Sequence, residues 1–154
     1  MSAIVERLGV EPLPLQIPVT FGGSELTVLD LLNGELQTWQ LVQKKAGVRS
    51  PNALEPLDDY HDLMRHEALE RIADAIAPHD DDFAERYLAG ELLSPQRWLL
   101  AIRKATLARS VMPLIFGVAR SGVGLEARLD TVLSVLPSPG EGQGPRVFQA
   151  DTGS

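Results

Sequence analysis

The hydrophobic positions change their period along the chain, and each change predicts a new element. Residues 2–8 have helical spacing and end at Gly9, a residue suited to the left-handed position after a helix. The following LPLQIPVT alternates apolar and polar residues, which is typical of a strand with one buried face. Its prolines cannot donate to a ladder, so we expect this strand at a sheet edge. The predicted inward residues are Leu13, Leu15, Ile17 and Val19.

A hairpin is predicted directly after this strand. The strand-like segments SELTVLDLL and ELQTWQLV are separated by Asn33-Gly34, and both of these residue types tolerate a positive φ. We expect a small antiparallel sheet that continues through about residue 43. Trp39 lies within an apolar-periodic element and is predicted to be a core residue.

The middle of the chain is predicted to form three consecutive helices. The first covers residues 57–77 and ends before Pro78. Asp80 to Asp82 provide an N-cap and favourable charge for a short second helix that Gly90 follows. Ser94-Pro95 starts the third helix, which is expected to continue through Arg109. The predicted inward residues are Tyr60, Met64, Ala68, Ile72 and Ile76 in the first helix, and Trp98, Ile102 and Ala105 in the third.

The last part of the pattern predicts a strand, a glycine-rich loop and a helix. Residues 111–119 form a continuous apolar segment, which favours a strand buried on both faces. After RSGVG a helical stripe continues to Pro137, and residues 138–154 have the Gly, Pro and Ser content of a linker. The stripe comprises Leu125, Leu129, Val132, Leu133 and Leu136. The pattern as a whole predicts an α/β fold, with a small mainly antiparallel sheet packed with three helices and a terminal strand-loop-helix unit.

Composition removes several classes of function. A chain of 154 residues with 44% hydrophobic residues can bury an ordinary single-domain core. Its formal net charge of -7 argues against direct nucleic-acid binding, because that affinity comes from clustered Lys and Arg. The absence of Cys excludes disulfides, thiolate metal sites and thiol nucleophiles. No signal peptide or membrane-spanning segment is recognisable in the sequence, so we expect a cytoplasmic protein without a membrane partner.

Candidate metal and catalytic sites have weak support. His61 and His66 do not have the spacing of a helical metal pair, and the acidic cluster at 80–82 lacks the pattern of a calcium loop. No serine has the context of a nucleophile elbow. We therefore predict no catalytic residue and no metal ligand in this chain.

Several segments together resemble one protein family. RYLAGE, AIRKATLARSVMPLIFGVA and GVGLEARLDTVLSVLPSP occur in that order within residues 84–139. They resemble the end of the GTP-binding domain of elongation factor G, which has Tyr-Leu-x-Gly-Glu, Arg-Lys-Ala-Thr, a Pro-containing strand, a glycine turn and Leu-Pro-Ser-Pro. ERLGVEPLPLQIPV resembles the start of the inserted subdomain of that family. The resemblance covers nearly the whole chain and is weakest over residues 40–80.

The resemblance implies a division of the chain. Residues 1–110 would be the inserted subdomain of a translational GTPase, residues 111–137 the final strand and helix of its P-loop GTPase domain, and residues 138–154 a linker to a following domain. The phosphate loop, the switch segments and the guanine-specificity motif precede this stretch in the family. GVARSG has the glycine spacing of a phosphate loop, but Val123-Gly124 follow where Lys and a hydroxyl residue are required. GTP and magnesium are therefore expected in the parent protein, and no cofactor is expected on this chain alone.

Two partner-facing sites are also implied by the resemblance. Gly117-Val118-Ala119 occupy the place of the family's Gly-Ser-Ala, whose backbone amides approach the guanine carbonyl oxygen. Val118 departs from that pattern, and the alternative is that it only packs the end of a strand. The helix at 57–77 matches the part of the inserted subdomain that meets the stalk protein of the large ribosomal subunit. Its outward Glu67, Glu70 and Asp74 would steer a basic partner, or would be an ordinary solvated face.

Two functional classes remain open at this point. The first is a segment of an elongation factor G-like GTPase whose partners are the ribosome, its stalk protein and the rest of the parent protein. The second is a free-standing protein-interaction module with no nucleotide role. An upstream phosphate loop in the genomic reading frame would support the first class, and a stop codon after Ser154 would support the second.

The missing phosphate loop leads to a first prediction. Titration of the 154-residue chain with GTP and magnesium in a calorimeter is expected to show no affinity tighter than millimolar. The reason is that the sequence provides neither the Lys nor the hydroxyl that normally grip the phosphates. Micromolar binding would contradict the assignment.

Overall fold

The computed structural model describes residues 9–22, 24–41, 51–118 and 123–136. The helix predicted at residues 2–8 and the linker at 138–154 lie outside the described residues. The strands are β1 Glu11–Pro14, β2 Gln16–Gly22, β3 Glu25–Asp30, β4 Glu35–Gln40, β5 Ala53–Pro56 and β6 Val111–Leu114. The helices are α1 Asp59–Ile76, α2 Asp81–Leu88, α3 Pro95–Leu107 and α4 Leu125–Val135, with a short 3-10 turn at Ala77–His79.

The strands form two sheets, which confirms the predicted α/β class. One sheet is antiparallel and has the order β2-β3-β4-β5, and the other is the parallel pair β1-β6. β2 lies at an edge, as its prolines predicted. In the parallel pair Glu11 stands opposite Val111 and Pro14 opposite Leu114. Strands from the beginning and the end of the described chain therefore share one sheet.

The alternating segment predicted as one strand is two strands in two different sheets. The Leu15 N–H donates to the Leu114 carbonyl at 2.9 Å, and the Leu15 carbonyl accepts from the Leu31 N–H at 3.2 Å. Leu15 is thus hydrogen-bonded to the parallel pair on one side and, on the other, to the antiparallel sheet β2-β3-β4-β5, which we call the hairpin sheet. Further along β2, the register shifts between Pro18 and Thr20, and Val19 is exposed instead of inward. The bulge turns this side chain away from the core.

The predicted hairpin is present, but its loop has four residues. Asp30 pairs with Glu35, and the intervening loop ends at Gly34 with φ 70°. The Asp30 carboxylate accepts from the backbone N–H groups of Leu32 and Asn33 at 3.1 and 3.0 Å, which stabilises the loop. The sheet then continues with β5, which sequence patterning did not predict.

The main core lies between the hairpin sheet and the first three helices. Leu29, Leu31 and Leu36 of the hairpin pack with helical residues such as Ile76 and Phe83 in one buried cluster. The Phe83 and Trp98 rings meet edge to face at 4.9 Å, and Trp98 is buried as predicted. Burying a side chain such as Phe83 is worth about 2–3 kcal/mol. Tyr60, by contrast, is 66% exposed and does not extend the inward stripe of α1.

A buried carboxylate joins α2 to α3. The side chain of Asp80 is 1% exposed and accepts from the Phe83 N–H at 3.3 Å, as the predicted N-cap. Its oxygens also lie 2.8 Å from Arg97 Nη1 and 3.0 Å from Lys104 Nζ. The hydrogen bond from Arg97 is the main reason that the pKa of Asp80 falls from 3.8 to about 2. This group therefore caps one helix and binds the next.

The other predicted helix boundaries are also present in the structure. Ser94 caps α3 by accepting from the Arg97 N–H at 3.3 Å, and Pro95 is its first helical residue. Gly90 has the left-handed conformation expected after α2, with φ 74°. α3 ends at Leu107, slightly earlier than predicted, and Arg109 has φ 60°.

The last strand and helix are more exposed than the sequence predicted. β6 ends at Leu114, and only Val111 of this strand is buried, because within the described residues β6 pairs with β1 alone. In α4 the inward residue is Val135, at 1% exposure, whereas Leu133 of the predicted stripe is 79% exposed. Leu129, Val132 and Leu136 are exposed as well, and the side chain of Leu125 lies outside the description. The described elements therefore cover the predicted apolar face only in part, and Leu133 is its most exposed residue.

None of the described helices has the length and apolar character needed to cross a membrane.

The Asp80 contacts generate a prediction about stability. Asp80→Ala is expected to lower the free energy of unfolding by about 3–4 kcal/mol, because Arg97 loses its buried partner and α2 loses its cap. Asp82→Ala is the matched control, since Asp82 binds the same guanidinium at 2.8 Å but is 70% exposed. Its loss should cost about 0–1 kcal/mol. Urea unfolding of both variants is the measurement, and equal losses would contradict the role given to burial.

A second prediction concerns acid. The pKa of Asp80 is lower in the folded chain, so the unfolded chain binds more protons at pH values between about 2 and 3.8. The stabilisation is therefore complete above the unfolded value and is lost as the pH falls through about 2. The difference in unfolding free energy between the wild-type chain and Asp80→Ala should narrow over that interval. A difference that stays constant from pH 5 to pH 2.5 would argue against this titration.

Candidate functional site

The loop between β6 and α4 is closed by backbone contacts. The Val118 N–H donates to the Val123 carbonyl at 3.0 Å, and the two residues form an isolated antiparallel bridge. Gly124 is the N-cap residue of α4 and has φ 72°. A Cβ on Gly124 would lie 2.6 Å from the Phe116 carbonyl oxygen, so both the conformation and the space require glycine. The loop is therefore held at its two ends.

A buried side chain holds the entrance to this loop. Gln16 is 3% exposed, and its Oε1 accepts from the Phe116 N–H at 3.1 Å. Sequence reasoning missed this residue, since Gln16 looks like an outward polar position in an alternating strand. No signal in the sequence marks it, because the alternation continues unchanged through the point where the chain passes from β1 to β2.

The outer face of α1 combines apolar and acidic side chains. Tyr60 and Leu63 are 66% and 59% exposed near its beginning, and Glu67, Glu70 and Asp74 are exposed further along. Their spacing places all five on one side of the helix. We call these five residues the outer strip.

The acidic end of the outer strip lies close enough to Tyr87 of α2 to act on it electrostatically. Burial raises the pKa of the Tyr87 phenol, and the carboxylates of Glu70 and Asp74 raise it further. Glu70 also lies 3.5 Å from His66 Nε2, and both side chains are largely exposed. The acidic end of the outer strip is therefore exposed to solvent and negatively charged, and Tyr87 is its aromatic neighbour.

A cavity of about 380 Å³ lies beside the hairpin loop and α4. Its lining includes Gln16 and Trp39 together with the carboxylates of Asp30, Glu35 and Asp130. These acidic groups would repel a phosphate. The cavity therefore does not have the chemistry of a nucleotide phosphate site.

Comparison with known proteins shows what the chain is similar to. No family model matches the chain. The chain is 37% identical over 134 residues to elongation factor G 2 of Syntrophus aciditrophicus (strain SB), covering 87% of this chain and 19% of that protein. It is 30% identical over 140 residues to elongation factor G of Thermotoga maritima, covering 90% of this chain and 19% of that protein. The chain is an elongation factor G-like segment.

A solved structure shows the same fold. A crystal structure of a protein from Thermus thermophilus superposes with a TM-score of 0.66 at 20% identity, covering 91% of this chain and 20% of that chain. The elongation factor G-like segment thus spans about a fifth of the length of the proteins it matches.

The residues predicted to lie at the guanine base are Gly117, Val118 and Ala119 of this elongation factor G-like segment. Gly117 and Val118 are half-buried in the segment that follows β6, and Ala119 lies outside the described residues. The Val118 N–H is bonded to Val123, so a guanine oxygen near this loop would have to use a different donor. The Val118 side chain packs against the buried cluster of Leu26, Val28, Trp39 and Val123, which is the packing role given as the alternative.

The predicted partner residues Glu67, Glu70 and Asp74 do lie together on one exposed face, but far along the chain from the loop. Within the described ranges, no three His, Asp or Glu side chains are grouped closely enough to hold a metal ion. The His61 ring binds the Asp58 carboxylate at 2.7 Å beside the start of α1. The contacts that the described residues show here are backbone hydrogen bonds and exposed pairs of charged side chains.

Proposed function

We propose that this elongation factor G-like segment acts in protein synthesis as part of a GTP-hydrolysing factor at the ribosome. The observation that carries the proposal is the 37% identity to an elongation factor G over 87% of the chain. Hydrolysis would belong to sequence outside this segment, because the loop with the glycine spacing of a phosphate loop continues with Val123-Gly124 instead of Lys and a hydroxyl residue. GTP and magnesium would be bound by the parent protein, in the cytoplasm.

Within that factor, we infer two tasks for the segment. The loop that begins at Gly117 would complete the guanine site from its edge, with its position set by Gln16, Val123 and Gly124. The outer strip of α1 would dock the stalk protein of the large ribosomal subunit. A partner that fits it has an apolar contact for Tyr60 and Leu63 and basic side chains for the acidic end.

The docking task has a physical basis in the arrangement of the strip. Tyr60 and Leu63 are exposed next to three carboxylates, so the strip offers a partner both apolar contact area and negative charge. Apolar residues contribute contact area and slow dissociation, whereas the carboxylates accelerate the encounter with a basic partner. The formal net charge of -7 points in the same direction.

Charge reversal tests this task. Glu67→Lys, Glu70→Lys and Asp74→Lys combined should weaken binding of the chain to large ribosomal subunits by about tenfold at low salt, because the attraction becomes repulsion. Binding is measured by sedimentation, with subunits that carry or lack the stalk protein.

The matched control reverses three exposed acids elsewhere, Glu11, Glu55 and Asp130, and changes the net charge equally. It should bind like the wild type. Equal weakening in both variants would show that net charge alone matters. Binding that does not depend on the stalk protein would contradict stalk docking, and no ribosome binding at all would argue against the ribosomal role.

A further inference from the structure

The cavity beside the hairpin loop has a polar row of side chains on the hairpin sheet. Gln16 of β2 stands opposite Asp30 of β3, and Asp30 stands opposite Glu35 of β4, so the three side chains share one face of the sheet. The Gln37 Nε2 donates to Asp30 Oδ2 at 3.2 Å and to Glu35 Oε1 at 3.0 Å. One nitrogen therefore reaches both carboxylates, and all four residues line the cavity.

Two buried amide groups in this row keep an unused hydrogen-bonding atom. Gln16 is 3% exposed, and its Oε1 accepts from the Phe116 N–H at 3.1 Å. A regular parallel ladder would give that N–H to the Leu15 carbonyl, which here accepts from the Leu31 N–H. The Gln16 Nε2 has no acceptor among the described residues, and Gln37, at 9% exposure, has no described donor to its Oε1. Buried polar atoms are normally bonded, so these two indicate that something occupies the cavity.

The charge of the cavity is negative. Asp30 and Glu35 line it from the sheet and Asp130 lines it from α4, whereas none of its described lining residues is basic. The Asp30 carboxylate already accepts four hydrogen bonds, all from the hairpin, and Glu35 accepts one. Glu35 and Asp130 are therefore the carboxylates with most capacity to bind a cation.

The same cavity has an aromatic and aliphatic part. Trp39 is 3% exposed and lines the cavity, together with Leu54 and Leu99. Leu54 stands opposite Gln37 in the sheet, so the apolar part begins directly beside the polar row. A guanidinium group matches such a mixed surface, because it is planar, less strongly hydrated than an ammonium group, and able both to donate to carboxylates and to stack on aromatic rings.

We propose that this cavity binds an organic cation that carries a guanidinium group on a short apolar stem. Glu35, Asp130 and the Gln37 Oε1 accept from the guanidinium, and the Gln16 Nε2 donates to a carbonyl oxygen of the ligand. The stem lies against Trp39 and its aliphatic neighbours. The proposal is independent of the ribosomal role, since none of these side chains belongs to the outer strip. A free small molecule and an arginine side chain of another protein offer this same chemistry.

The first experiment titrates the isotope-labelled 154-residue chain with Nα-acetyl-L-argininamide and follows NMR signals. The side-chain amide of Gln16 and the indole N–H of Trp39 should shift and saturate. The matched probe is the citrulline analogue, which has a neutral urea in place of the guanidinium and should bind about tenfold more weakly, because charged hydrogen bonds are the stronger ones. Equal binding of both probes, or no saturable shift, would overturn the proposal and leave the cavity to water.

The second experiment removes single charges from the lining. Glu35→Gln keeps an acceptor for Gln37 and should weaken binding of the arginine probe about tenfold, without changing that of the citrulline probe. Asp130→Asn, at an exposed helical position that does not disturb the hairpin, should weaken it about threefold. Glu55→Gln is the matched control, because Glu55 is an exposed acid of the same sheet that does not line the cavity. Unchanged affinity in both lining variants would overturn the proposal.

A third titration distinguishes the two sources of the cation. The probe is the peptide Ala-Ala-Arg-Ala-Ala with both ends blocked. If the natural ligand is an arginine side chain of a protein, the peptide should bind about tenfold more tightly than the argininamide, because its backbone adds contacts at the mouth of the cavity. Binding no tighter than that of the argininamide assigns the site to a free small molecule.

Discussion

The parallel pairing of β1 with β6 is the constraint on which the rest of the structure depends. It joins Glu11 to Val111, and closing so long a stretch of chain costs conformational entropy that contacts inside the stretch must offset. A parallel pair always needs a crossover connection. Here the crossover contains the hairpin sheet and the helices α1 to α3, with their shared buried cluster. The sheet and helices that resemble an inserted subdomain therefore lie in the chain between the two strands of one parallel pair.

Local signals in the sequence predicted the parts of this fold that local chemistry determines. Asp80 and Ser94 cap their helices because a carboxylate or hydroxyl before a helix satisfies free N–H groups whatever lies further away. The break at Leu15 was not predictable in this way, since the alternation continues unchanged across two strands that belong to different sheets. β5 was missed because ALEP is too short to show a period, and it becomes a strand only where β4 offers an edge.

In the candidate site, too, the features set by local spacing were predictable and those set by tertiary contacts were not. The spacing of Glu67, Glu70 and Asp74 places them on one helical face, so their grouping was predictable, and the exposure of Tyr60 and Leu63 beside them was not. The role of Gln16 depends on which carbonyl the Leu31 N–H occupies, a fact of tertiary structure that no pattern in the sequence encodes. For Val118, the resemblance pointed to the base, whereas the structure gives its N–H to Val123 and its side chain to the cluster around Trp39.

The apolar face of α4 is only partly covered by the described residues. Leu133 is 79% exposed although its helix has a regular apolar stripe, and within the described residues β6 has a strand neighbour on one side only. An apolar stripe of this kind predicts that this face of α4 is buried. Where the described residues do not bury it, another part of the protein or a partner would have to do so. The matched relatives have about four fifths of their length outside the corresponding segment, which is ample for such a cover. By contrast, the outer strip of α1 ends in three carboxylates, and a permanently buried face would have to desolvate them. The two exposed surfaces therefore suit different partners: α4 and β6 suit stable packing within a larger protein, and the outer strip suits a reversible, charge-assisted encounter.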